Sequence, residues 1–474
     1  MTNRNSSLKA EQVWLLLILL LGLALRLWGL GSWPWEEDEL YTLRDARALP
    51  FQVNRLGDPG IAARPVYYLL QHALLALLPP TPLLLRLPAL LFGMAGLVAT
   101  WWVGRRVFGP RAGLVAALLL ALSPWHLYAS QFARYWTLVY LLSTLTYWAL
   151  PRAIDQDQPK AYLAVLALIL MGGLTHPTFL LPVAGVALAV HLFRPDGQVA
   201  PRLPSARAWA FLWGPLAVLG AAEFVTLRLT GNQQAIQNWA GRGLTASLQV
   251  IPGMIQWTSV EICGAAIAAT AFLVGRAAPD RRWGGMTILG GGGALLLLFM
   301  ASFSSNVYAD YGISVLPLVY LSIGGAVQRI AAEVRQELSG WVVGGASIAL
   351  AAGVLPGTVS HLSDGSRFDY RPAFAAIRRL DPEHPVAGGI DVIQKEYAPD
   401  LRMLEIHSPP QMDSLPVFWF ITSERRYGLR EGGPGLQAWL NAHCRRVLSS
   451  GRPRLDYRIY RVDLYSCRRE SAAN

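Results

Sequence analysis

Long apolar runs broken by short arginine-bearing connections fill the first three quarters of the chain. A helix needs about 20 apolar residues to cross the hydrocarbon core of a bilayer. On that measure eleven spans are predicted, roughly 12–30, 86–104, 112–128, 135–150, 161–174, 178–193, 208–227, 257–275, 284–302, 311–328 and 341–358. The arginines test this count. With Arg4 and Lys9 inside, the basic residues Arg105, Arg106, Arg111, Arg152, Lys160, Arg194, Arg202, Arg207, Arg276, Arg281, Arg282, Arg329 and Arg335 all fall on cytoplasmic connections, as the positive-inside rule requires. The connections 31–85, 129–134, 175–177, 228–256 and 303–310 then lie outside. An odd number of spans also puts the tail from 359 onward outside. The first apolar stretch, Val13 to Leu30, has no small-residue cleavage site and is read as a retained helix.

Polar patterning subdivides the outer segments. Arg64 to Leu78 places Tyr67, Leu70, Leu74 and Leu78 at helical spacing, with Gln71 and His72 between them, and predicts an interfacial helix. A second such helix is predicted over Glu39 to Ala48. The 228–256 segment, with Gln233, Gln234, Asn238 and Trp239, reads as an interfacial loop ahead of Trp257. From about Ser360 the apolar runs shorten to strand length. Helix is expected over Phe374–Leu380 and Leu436–Arg446, strand over Val386–Ile393 and Val417–Ile421, and a strand pair or one long strand over Leu455–Tyr465. The chain is thus an α-helical polytopic membrane domain, 1–359, with interfacial helices in its first outer loop (31–85), followed by a soluble α/β domain, 360–474.

Composition agrees. Of the 474 residues 53% are hydrophobic and 15% charged, and the mean hydropathy of +0.34 is too high for a soluble protein of this size. The net charge of +11 comes almost wholly from arginine, which suggests a GC-rich bacterial genome. These arginines sit between apolar runs and form no continuous patch with interleaved aromatics, so nucleic acid is excluded as a partner. Cys444 and Cys467 fall in the outer domain, where a disulfide and two separate thiols are both open readings. Cys263 lies in a span and is expected to be packed.

The strongest local signal is Glu36-Glu37-Asp38-Glu39, just beyond the first span. Carboxylates crowded at a membrane surface repel one another and anionic lipid. They form either a solvated acidic turn or a site in which one acts as general base. Arg134 stands in a very short outer connection, where its guanidinium is either a headgroup anchor or a phosphate holder. Tyr135 beside it suits an aromatic belt. His176 and Asp310 lie on the same side, and Arg64 and His72 extend the set. There is no metal-ligand spacing and no phosphate-cradling glycine loop with lysine, so neither a metal nor another cofactor is expected. The Gly290–Gly293 run is expected to permit close helix packing.

The ordered motifs resemble those of the C-type membrane glycosyltransferases, in the protein-mannosyltransferase-like branch that includes bacterial lipid A sugar transferases. They are Asp38-Glu39 followed by Tyr41, Pro65-x-Tyr-Tyr-Leu-Leu, Arg86-Leu-Pro, Ser130-x-x-x-Arg134-Tyr135, and Asp310-Tyr311 leading to Leu316-Pro317. The resemblance implies inverting transfer of a hexosyl or pentosyl group from a polyprenyl-phosphate-sugar donor to a hydroxyl acceptor on lipid, glycan or protein. The protein would act within membrane lipid, on the extracytoplasmic face of the bacterial inner membrane. Asp38 takes the position of the catalytic base and Arg134 that of the phosphate holder. Glu39 would orient acceptor or sugar, and His176 would lie near the donor, with Tyr41, Arg64, Tyr135 and Asp310 completing the binding set. The chain departs from the family in two places. Members commonly carry His-Pro-Pro where Arg64-Pro65-Val66 stands and Arg-Tyr where Asp310-Tyr311 stands, as though Arg64 and Asp310 had exchanged charge roles. Rival readings are a transporter or flippase for lipid-linked sugars, which should show internal repeats, and a degenerate envelope-assembly protein.

Overall fold

The computed structural model describes residues 2–47, 64–229, 250–274, 278–302, 307, 309–388, 390–404, 412–413, 415–425, 429–430, 433–456 and 458–468. Most of the expected 228–256 loop, including Gln233, Gln234, Asn238 and Trp239, lies outside them. The chain divides into a helical unit, 1–28, 45–80 and 84–358, and a second unit, 29–44, 81–83 and 359–474.

In the helical unit each of the eleven predicted spans falls on helix. Among the described residues six helices are long and apolar enough to cross a membrane: Lys9–Leu27, Pro82–Val107, Ala206–Val225, Asp280–Ala301, Ala309–Glu333 and Gln336–Asp364. A seventh is made if Pro110–Leu122 and Pro124–Ser130, bent by 66°, count as one span. Pro159–Thr175, Pro177–Leu192 and Glu261–Val274 are apolar but shorter. Prolines open several of these helices, where a missing N–H costs nothing. The surface of the first helix carries exposed Val13, Trp14, Leu16, Leu17 and Leu20, the arrangement of a helix solvated by lipid.

Ion pairs gather the basic connections at one end of the helices. Asp155 meets Arg202 at 2.6 Å and Arg282 at 2.5 Å, Arg207 meets Asp157 at 3.1 Å, and Arg329 meets Asp280 at 2.6 Å. Arg111 donates to Ser339, and Arg105 pairs with Glu11 at 3.1 Å. Connections expected on one side of the membrane are therefore neighbours, which is the alternation that the arginine pattern demands.

Three expectations for this unit change. The helix Pro65–Leu77 forms where predicted, but the side it buries is Tyr67, Tyr68 and Gln71, while Leu70 and Leu77 are exposed. Gln71 Nε2 donates inside to the Tyr67 hydroxyl and the Leu85 carbonyl, so a polar residue sits on the packed face and leucines face outward. Cys263 is exposed on its helix, not packed. Only part of the glycine run works as expected. A Cβ on Gly290 would meet Val186 Cγ2 at 2.6 Å, whereas one on Gly292 or Gly293 would meet nothing within 4 Å.

The second unit is built on a sheet of six strands: β1 Val386–Ala387, β2 Met403–Leu404, β3 Val417–Arg425, β4 Leu429–Arg430, β5 Cys444–Ser450 and β6 Arg461–Arg468. Their order is β2-β1-β3-β6-β5, with β4 paired to β3. β1 runs parallel to β2 and β3, and β6 runs antiparallel to both β3 and β5. The helix Gly433–His443 contributes Leu436 and Leu440 to a core with Phe418, Phe420, Tyr465 and Cys467. The helix Arg371–Leu380 buries Ala373, Phe374, Ala376 and Ile377, a helical stripe, against β5 and β6. The expected strand 386–393 is cut to two residues. Gly388 has φ +139° and a Cβ there would lie 2.5 Å from the Ile421 carbonyl oxygen, and the chain then turns into the helix Asp391–Tyr397. The expected helix 436–446 ends at His443, because Cys444 opens β5. The expected strand 455–465 is displaced to 461–468 by its register with β3 and β5.

Cys444 faces Cys467 across β5 and β6 and the two form a disulfide. Closing a loop between residues 23 apart restricts the unfolded chain by about 2–4 kcal/mol. Replacing both cysteines by serine is expected to lower the unfolding temperature of the purified protein by several degrees, and wild type treated with reductant should fall to the same value.

Candidate functional site

Within the helical unit, four of the residues expected at the site come together around one aromatic ring. Arg64 is the N-cap of Pro65–Leu77, with Pro65 at the first helical position. Its Nη1 donates to the Tyr135 hydroxyl at 2.9 Å, and its guanidinium lies 5.6 Å from the Tyr135 ring centre. Arg134 approaches the same ring at 5.7 Å and donates from Nη1 to the Tyr68 hydroxyl at 2.8 Å. His176 stacks on Tyr135 with ring centres 4.8 Å apart. Trp136 and Tyr311 close the aromatic group, at 4.8 and 5.2 Å from the His176 ring. Asp310 precedes Tyr311 in the short helix Ala309–Val315.

Local sequence explains the geometry of His176. It ends the helix Pro159–Thr175 in extended backbone, and Pro177 begins the next turn. Its Nδ1 accepts from the Thr178 backbone N–H at 3.3 Å and lies 2.7 Å from the Thr178 hydroxyl. An Nδ1 that accepts leaves the ring proton on Nε2. Burial, then the Arg64 and Arg134 cations, holds this imidazole well below the usual histidine range, so it is neutral at pH 7. Among the described residues neither His176 Nε2 nor Arg64 Nε has a hydrogen-bond partner, although both are buried. A buried N–H left unmade costs roughly 1–3 kcal/mol. Two guanidiniums and a neutral imidazole N–H, two of them with donors to spare, are the kind of donor set that can hold a compact oxyanion such as phosphate.

His72, on Pro65–Leu77, has its Nδ1 2.7 Å from the Ala46 carbonyl oxygen, and Asp38, Glu39 and Tyr41 lie on the helix Glu37–Arg47, in the second unit up to Arg44. Its start is a capping arrangement. Glu39 reaches back to accept from the Glu36 backbone N–H at 3.2 Å, and three acidic residues occupy the first turn, where the helix dipole favours them. Glu39 is fully buried and pairs with Arg367 at 2.5 Å. Tyr41 donates to Glu37 at 2.7 Å. Asp38 is exposed on the first turn. The acidic run is thus divided by the helix period, with Glu39 turned inward and Asp38 outward.

Sequence reasoning missed Arg367, Tyr68 and Trp136 as partners. Tyr68 was visible only as a member of the Pro65-x-Tyr-Tyr-Leu-Leu motif, and Trp136 only as the neighbour of Tyr135. Arg367 follows Glu39 by 328 residues, and no local signal joins them.

Residues 62–214 match the family of dolichyl-phosphate-mannose-protein mannosyltransferases. The resemblance to C-type membrane glycosyltransferases holds. The match spans about a third of the chain and includes Arg64, Arg134, Tyr135 and His176. No curated protein sequence matches. Among solved structures, ArnT from Cupriavidus metallidurans in the apo state shares 15% identity over 96% of this chain and 98% of its own, with a TM-score of 0.49. The same protein bound to undecaprenyl phosphate shares 17% over the same fractions, with a TM-score of 0.47. The oligosaccharyltransferase of Archaeoglobus fulgidus, in complex with zinc and sulfate, shares 13% over 82% of this chain and 62% of its own, with a TM-score of 0.45.

The depressed His176 pKa fixes the sign of a pH effect. Below about pH 6.5 the unfolded histidine binds a proton that the folded one refuses, so its contribution to stability is lost as pH falls through that window. His176→Gln removes this titration. Between pH 6.5 and 5.5 wild type should lose about 1 kcal/mol relative to that variant, measured from the difference between their denaturation midpoints at each pH.

Proposed function

We propose that this protein transfers a sugar from a polyprenyl-phosphate-linked donor to a hydroxyl acceptor on the extracytoplasmic side of a bacterial inner membrane, with inversion at the sugar carbon. The observation that carries the reading is the cluster of Arg64, Arg134 and His176 around Tyr135, with buried N–H donors to spare. A family named for a lipid-phosphate sugar donor matches the segment that holds all of them. In this reading Arg134, with Arg64 and His176, binds the donor phosphate and stabilises it as it leaves. Asp38 takes the proton of the attacking hydroxyl. Glu39, locked to Arg367, fixes the helix that carries Asp38, and Tyr41 and Asp310 complete the binding set. The unit from residue 360 onward is the extracytoplasmic domain and the N-terminus is cytoplasmic.

Departure of phosphate needs charge neutralisation more than covalent help, so two guanidiniums suffice as electrophilic assistance. The basic ends of the helices, gathered by Asp155, Asp157 and Asp280, face the cytoplasm, and the Arg64–His176 cluster faces the opposite compartment.

The test is transfer of labelled sugar from a panel of synthetic prenyl-phosphate sugars by purified protein. Asp38→Asn is expected to lower kcat by at least about 100-fold with donor binding intact. Arg134→Ala is expected to weaken donor binding by more than tenfold and to lower kcat as well. Wild-type protein that binds prenyl phosphate but transfers no sugar from any donor would refute the transferase reading.

A further inference from the structure

Arg26, near the end of the first helix, is fully buried in the helical unit. Its guanidinium donates from Nε to Ser130 Oγ at 3.1 Å, from Nη1 to the carbonyls of Gly22 at 3.0 Å and Ala121 at 3.2 Å, and from Nη2 to the carbonyl of Leu120 at 3.2 Å. Nη2 also lies 2.7 Å from His126 Nδ1. All five N–H groups are occupied, and among the described residues none of their partners is a carboxylate. The counter-charge is instead the carbonyl end of Pro110–Leu122, where a helix dipole is negative.

Those partners flank the 66° bend between Pro110–Leu122 and Pro124–Ser130. Ser123 caps the second helix by accepting from the His126 N–H at 3.3 Å, and Tyr320 donates to the same hydroxyl at 2.7 Å. On the next turn Gln131 Nε2 donates to the carbonyls of Leu25, Arg26 and Trp28, at 3.2, 2.9 and 2.7 Å. Gly93 allows the approach, since a Cβ there would lie 2.3 Å from Ser130 Oγ. Three residues past Gln131 comes Arg134, whose backbone N–H bonds to the Phe132 carbonyl at 2.6 Å.

We propose that Arg26 is a positioning residue for the donor phosphate. Its fork holds the bend and Ser130 in one geometry, and so sets the angle at which Arg134 meets the anion. This inference rests on the reading of Arg134 as a phosphate holder. Lysine at position 26 keeps the charge but cannot bond both helix-end carbonyls, Ser130 and His126 together.

The experiment is titration of purified full-length protein in detergent with a synthetic polyprenyl phosphate, read by native mass spectrometry, for wild type, Arg26→Lys, Arg134→Ala and the double variant. Arg26→Lys is expected to weaken binding about tenfold and to lower kcat by less than Arg134→Ala does, because it displaces the Arg134 guanidinium without removing it. The double variant should be no weaker than Arg134→Ala alone, because both changes remove one interaction. Ser130→Ala keeps the buried charge and its other bonds, and should weaken binding about threefold; it carries the test if Arg26→Lys does not fold. Unchanged binding in a folded Arg26→Lys or Ser130→Ala protein, or additive losses in the double variant, would overturn the positioning role while leaving the phosphate reading standing. Equal binding by wild type and Arg134→Ala would overturn both.

Discussion

Arg26 holds a charge inside the helical unit with no carboxylate among its described hydrogen-bond partners. An isolated buried cation is costly in lipid, and here the cost is met by carbonyls that a continuous helix would have used itself. The bend at Ser123–Pro124 and the buried guanidinium therefore require each other. Pro124 has no N–H to offer back to Leu120, Ser123 caps the helix that follows, and the carbonyls of Ala121 and of Leu120, which also accepts the Ser123 N–H at 3.3 Å, bond the arginine. The bend in turn makes the connection to Trp136–Gln156 short, and that connection carries Arg134.

The two ends of the helical unit use charge in different ways. At one end, arginines are paired with Asp155, Asp157, Asp280 and Glu11. Their electrostatics are closed, and what they contribute is orientation and bundle geometry. At the other, Arg64 and Arg134 are held by tyrosine hydroxyls and an aromatic face. Tyrosine fixes a guanidinium without neutralising it, because the phenol is uncharged and its ring contributes only a cation–π attraction.

Much of this was legible in the sequence because membrane helices are written in composition. Each of the eleven apolar runs became helix, and Arg202, Arg282 and Arg329 fell at the same end because the positive-inside pattern is a periodic signal over the whole chain. Periodicity failed where the surrounding medium inverts its meaning. On Pro65–Leu77 the leucines face outward and Gln71 inward, since lipid is as good a solvent for leucine as a core is. In the second unit the short strands were set by pairing between distant segments, β3 with β6 and β5 with β6. Local pattern cannot place such boundaries to within a few residues. The site divides the same way. Arg134, Tyr135 and His176 could be named from motif and location, whereas the Glu39–Arg367 pair and the Arg26 fork join residues 328 and 104 apart and leave no trace in any window.

The neutrality of His176 bears on how an enzyme of the proposed kind would turn over. A site made of three cations would hold the released phosphate at least as well as the donor, and binding that does not distinguish the transition state lowers KM without raising kcat. Buried between Tyr135, Trp136 and Tyr311 and next to two guanidiniums, the imidazole refuses a proton and offers only its Nε2–H. A neutral donor is directional, so it favours an oxygen that gains charge at one position over an anion merely present nearby. In such an enzyme Arg64 and Arg134 would supply the attraction that brings an anion in, and His176 would supply the discrimination. Exchanging the two kinds of donor would trade selectivity for retention.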